Sequence, residues 1–167
     1  MRVSVLPVLP VVPVIPPHPE RPDSRWLADW ENRDFLELGA CDTAPGTVRG
    51  LVRERLPLWG LDYLRDAVEL VATELVTNSV GATRESVWEG SAPPVRVWLL
   101  GSAIAGAGAV VLVWDGVPRE PVRGEPGLDD ESGRGLTLVD ALSAKWDYYF
   151  PPCPFWGKVT RAFIVNG

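Results

Sequence analysis

The sequence predicts an α+β two-layer sandwich, an α/β domain built on a mixed, largely antiparallel sheet. Three observations carry this expectation. Helical periodicity runs through residues 45–59 and resumes directly afterwards; two apolar runs, VRVWLL and AVVLVWD, flank a Gly-rich turn; and a second hairpin, from DYYF to GKVTRAFIV, supplies a last strand. At 167 residues the length suits a single core.

The elements follow in order. In MRVSVLPVLPVVPVIPPHPE, prolines stand at positions 7, 10, 13 and 16, the period of a polyproline II helix and incompatible with an α-helix. The prolines break any signal-peptide h-region, and no small-residue cleavage site follows, so residues 1–23 read as a flexible or loosely packed tail. A transmembrane helix is excluded there for the same reason. The folded domain is expected over residues 24–167. DFLELG is short enough for an edge strand, and CDTAPG is the turn that ends it. Val48, Leu51, Val52 and Leu56 share a helical face, and Gly60 closes that helix. In the next helix, at 100° per residue, Leu64, Val68, Val71 and Leu75 form a narrow apolar stripe. Residues 116–132 lack periodicity and read as an exposed loop, after which GRGLTLVDALSAKW places Leu136, Val139 and Leu142 at helical spacing.

Composition narrows the function. Hydrophobic residues make up 46% and charged residues 23%, the balance of a soluble globular protein. A net charge of -6 argues against a broad grip on nucleic acid, which needs clustered Lys and Arg. Cys41 and Cys153 suggest neither a zinc site nor a disulfide scaffold, and a reducing cytoplasm is the expected location. The single histidine, His18, lies in the proline run with no Cys, Asp or second His nearby, so histidine-centred chemistry is not expected.

Three features stand in a definite order. Glu74 and Asn78 lie along one margin of the apolar stripe, a turn apart. Asp115 ends a strand. Gly133, Arg134 and Gly135 precede a helix, where glycines let a ligand approach the backbone and the helix N-terminus favours anions. Any one of them is a common pattern; their order is not.

That order resembles the Bergerat-fold ATPases, the superfamily of gyrase, heat-shock chaperone, mismatch-repair and histidine-kinase ATP domains. It is most similar to the stand-alone anti-sigma-factor serine/threonine kinases of actinobacteria. LWGLDYLRDAVELVATELVTNSV resembles their N box, VVLVWDGVPREPV their first glycine box, and ESGRGLTLVDALSAKW their second. The likeness runs from about Phe35 to Ile164 and implies the Bergerat ATP-binding fold, with helices packed on one face of the sheet.

By this resemblance Asn78 would coordinate Mg²⁺ on the phosphates of ATP, and Glu74 would orient or deprotonate the attacking hydroxyl. Asp115 would accept from the adenine amino group and so select adenine over guanine. Gly133, Arg134, Gly135 and Leu136 would lie along the phosphates, with the preceding loop as a lid. The sequence departs from the family in having Gly81 and Ala82 where a basic residue and a histidine often follow, and Lys158 and Thr160 where relatives place a Thr near adenine. The implied activity is transfer of the γ-phosphoryl of ATP to a Ser or Thr of an antagonist (anti-anti-sigma) protein; the resemblance also allows a sigma factor as a further partner and a homodimer, without fixing either. Direct nucleic-acid and membrane contacts are not expected. The alternative is an ATP-binding switch that sequesters its partner without catalysis. A complete histidine kinase is excluded because no helical segment carries an acceptor histidine.

Overall fold

A computed structural model describes residues 15–19, 30–104, 108–121 and 135–166. The elements are β1 (Asn32–Leu38), α1 (Ala44–Leu58), a 3-10 turn (Asp62–Leu64), α2 (Arg65–Glu85), β2 (Val95–Gly101), β3 (Gly108–Asp115), α3 (Gly135–Leu142), β4 (Lys145–Tyr149) and β5 (Lys158–Val165). They form an α+β fold in which three helices pack against a five-stranded sheet of order β1-β2-β3-β5-β4. Every strand pairing among the described residues is antiparallel, so the mixed sheet expected from the sequence is corrected to an antiparallel one. The reason lies in the connections. β2 and β3 are joined by a short turn and β4 and β5 by a hairpin, which return the chain antiparallel; α1 and α2 connect the neighbouring strands β1 and β2, and α3 lies between β3 and β4, which β5 separates in the sheet.

Local chemistry explains the helix boundaries. Pro45 sits in the first turn of α1, where a missing backbone N–H costs nothing, and Val48, Leu51, Val52 and Leu56 turn inward. The helix ends in a Schellman motif: Leu61 N–H donates to Leu56 C=O at 2.8 Å, and Gly60 N–H donates to Pro57 C=O at 3.1 Å. Gly60 takes the positive φ (73°) that this motif needs. The following chain starts α2 at once, with Leu64, Val68, Val71 and Leu75 buried along the expected stripe.

Strand register divides the sheet residues between two faces. Val95, Val97 and Leu99 of β2, Val111 and Val113 of β3, and Ala162 and Ile164 of β5 join the helices in the larger core cluster. Trp98 and Leu100, Val110, Leu112 and Trp114, and Tyr149 and Val159 form a second cluster with no helical residue in it. All eight residues of β3 are therefore buried, the pattern of a strand covered on both sides.

Part of the second face is covered by the chain's own N-terminal stretch. Ile15 is buried in that cluster, Tyr149 Oη–H donates to the Pro16 carbonyl at 2.7 Å, and the His18 ring stacks on Tyr149 with centroids 4.8 Å apart. For residues 15–19 the expected loosely packed tail is thus corrected to a docked segment. The physical reason is that the middle of the outer face is apolar, with Trp98, Leu100, Val110, Leu112, Trp114 and Val159, and its burial outweighs the ordering cost of a few residues already stiffened by proline.

Candidate functional site

The site is built where α2 faces α3 beneath the end of β3. α2 packs against both elements. Leu136 and Val139 are buried in the core and seat α3, so the position of Gly135 at its first turn is set by packing. A Cβ added to Gly135 would lie 2.4 Å from Glu74 Oε2. With glycine at 135 the carboxylate packs directly against the start of α3, where the helix dipole favours negative charge, and a larger residue would push it aside. Glu74 is half-buried, and desolvation pushes its carboxyl above the usual carboxylate range. A more basic carboxylate on a site wall suits general-base work. Asn78 follows one turn later, also half-buried. Gly133 and Arg134, with the loop from residue 122 onward, lie outside the described residues. The side chain of Leu136 is committed to the core, which leaves its backbone for any ligand.

Asp115 closes the other end of the layer. It is fully buried, and its two oxygens are engaged: Oδ1 accepts the Val117 N–H at 2.9 Å, an Asx-turn geometry, and Oδ2 accepts from Lys158 Nζ at 2.7 Å. Lys158 stands opposite Asp115 in the β3–β5 register, on the helix-facing side, and is only 1% exposed. Backbone closes around the pair. A Cβ on Gly157, whose φ is 76°, would lie 2.0 Å from the Asp115 carbonyl oxygen, and a Cβ on Gly116 would lie 2.7 Å from Pro93. Thr160 is buried one position further along the same face of β5.

The structure therefore brings Glu74 and Gly135 together, places Asn78 along the same helix, and joins Asp115 to a residue to which no role was given from sequence. The signal for Lys158 was present: a lysine at the start of an apolar strand, opposite a strand-end aspartate once the register is known. Sequence alone could not supply that register.

Whether these residues fit Mg²⁺ and ATP can be judged end by end. Among the described residues no group of three or more His, Cys, Asp or Glu could hold a metal ion alone. Asn78 suits Mg²⁺ as one neutral oxygen ligand beside phosphates and water, the usual way this ion is held. The space at Gly135 is bounded by the Glu74 carboxylate, so a phosphate there would need a cation between the two anions, the place that Asn78 would give Mg²⁺. The base end differs, because Asp115 already has a cationic partner. An open groove between α1 and α2, lined by Arg53, Arg65, Asp66, Glu69 and Leu70, involves none of these residues.

Among the described residues no helix is long and apolar enough to cross a membrane. Neither a scan against protein-family models nor a search of curated proteins returned a match.

Proposed function

We propose that the protein is an ATP-dependent regulatory serine/threonine kinase of the anti-sigma type, acting on an antagonist protein. The observation that carries this reading is the packing of the Glu74 carboxylate against Gly135 at the start of α3, with Asn78 one turn along the same helix. Bound ATP would supply the phosphoryl group. Asn78 would hold Mg²⁺ beside the phosphates, and the first turn of α3 would face them with backbone amides. Glu74 would take the proton from the incoming hydroxyl as that oxygen bonds to the γ-phosphorus and the bond to the departing ADP breaks. Its half-buried, more basic carboxyl is suited to that step. Most of the remaining rate would come from positioning and charge neutralisation.

The test is incubation with γ-labelled ATP, Mg²⁺ and the proteins that co-purify with the chain. The wild type is expected to label a partner. Glu74→Gln should retain ATP while transfer falls by roughly 10² to 10⁴, the usual contribution of a positioned base. Asn78→Ala should lose Mg-dependent binding and all that follows from it. Loss of ATP in Glu74→Gln would make that carboxylate structural instead.

A second reading, a nucleotide-binding switch without catalysis, rests on Gly81 and Ala82, which stand where the resembled family often has a basic residue and a histidine near the phosphates. It would stand if ATP changed partner binding while no partner became labelled.

A further inference from the structure

We infer that Lys158 donates to Asp115 the hydrogen bond that an exocyclic amine of a base would otherwise donate, so that this chain holds a nucleoside triphosphate by its phosphates and does not select it by its base. The inference rests on the nucleotide-binding reading above and sharpens it by naming the substrate class as nucleoside triphosphates without base preference.

Geometry comes first. The 2.7 Å separation of Lys158 Nζ and Asp115 Oδ2 is that of a charge-assisted hydrogen bond, and such bonds are about twice as strong as those from neutral donors. A base amine is a neutral donor. To reach this oxygen it would replace a cation with a weaker partner and force a buried ammonium to find another.

Burial makes that exchange costly. The two side chains are 1% and 0% exposed, so separating them leaves at least one charge uncompensated in the interior. The second carboxylate oxygen offers no easier access, since the Val117 N–H already donates to it. Gly157 and Gly116 draw backbone and the Pro93 ring close on either side, where even a methyl group would collide. Lys158 is thus a specificity-determining residue by occupation.

The phosphate end makes no use of this pair. Glu74, Asn78 and Gly135 lie on α2 and α3, not on β3 or β5. Affinity for the phosphates and indifference to the base can therefore coexist in one site.

Calorimetry on the full chain tests the inference, with MgATP, MgGTP and magnesium tripolyphosphate as probes for the wild type and for Lys158→Thr. The wild type is expected to bind ATP and GTP within about threefold of each other, because Asp115, the group that the resemblance assigns to the base, is already engaged by Lys158. Tripolyphosphate should bind the wild type about as tightly as ATP. Lys158→Thr, which frees Asp115 and keeps a hydroxyl beside it, should favour ATP over GTP by at least about tenfold. A wild type that already favours ATP by tenfold would overturn the inference, since Asp115 would then read the base with Lys158 in place. So would a folded Lys158→Thr without any preference. Should that variant fail to fold, the wild-type ratio decides by itself. If the wild type binds none of the three probes, the nucleotide reading falls and takes this inference with it; binding with strong base selection defeats the inference alone.

Discussion

The two faces of the sheet are both buried, yet they are covered by different means. On the helix side, α1, α2 and α3 bring regular apolar stripes, and the polar residues among them fall at two places: Glu74 against the start of α3, and Asp115, Lys158 and Thr160 where the end of β3 meets the start of β5. On the other side no helical residue joins the core among the described residues. There, aromatic and aliphatic side chains are covered in part by residues 15–19, and two guanidinium groups lie over rings: Arg96 over Trp114 while pairing with Glu37, and Arg161 over Tyr149 while pairing with Asp147. The Lys158–Asp115 ion pair, 1% and 0% exposed, lies on the helix side, whereas the charged residues named on the outer face keep part of their side chains in contact with solvent. A buried ion pair thus sets the two faces apart where apolar burial does not.

Breaking the Lys158–Asp115 pair should give the largest effect on stability. Lys158→Met is expected to cost about 3–5 kcal/mol in urea unfolding, because a carboxylate is left buried without its partner. Adding Asp115→Leu should recover most of the loss. A single variant costing under about 1 kcal/mol would mean that water reaches the pair.

Next come paired truncations that set the faces against each other. Leu75→Ala on the helix side and Leu112→Ala on the outer side should each cost about 2–5 kcal/mol, since both side chains are almost wholly buried. A much smaller cost at Leu112 would show that the outer face is not a second core.

The N-terminal cover is expected to contribute less. Removing residues 1–19 should forfeit at least the burial of Ile15, about 1.5–3 kcal/mol, and lower the melting temperature. Tyr149→Phe, which deletes only the hydrogen bond to the Pro16 carbonyl, should cost about 0.5–1.5 kcal/mol and separate the bond from the packing. An unchanged melting temperature after the deletion would restore the loosely packed tail.

The smallest expected change is at Glu74. Its folded carboxyl titrates above the ordinary range through desolvation, so its contribution to stability is fully present below the unfolded pKa and is lost as pH rises through the folded one. Glu74→Gln should therefore raise the melting temperature slightly at neutral pH, with the gain shrinking as the pH is lowered through the carboxylate range. A gain that grows in acid would contradict a desolvated carboxylate.

Much of the fold was legible because its signals are local. The stripe of α2, the Gly60 stop, the VRVWLL and AVVLVWD strands and the seating of α3 by Leu136 and Val139 all follow from side-chain period and turn chemistry within a few residues of each other. The margin carrying Glu74 and Asn78 was readable on the same grounds.

What the sequence by itself determined, then, was the set of elements and which residues of each would face a core. It could not say that the sheet is wholly antiparallel, that Gly135 meets Glu74, that Lys158 meets Asp115, or that Ile15 and Pro16 cover the outer face. Each of these joins residues far apart in the chain, and the tertiary structure decided them through strand order and register, because a shift of one residue would have turned Lys158 to the opposite face.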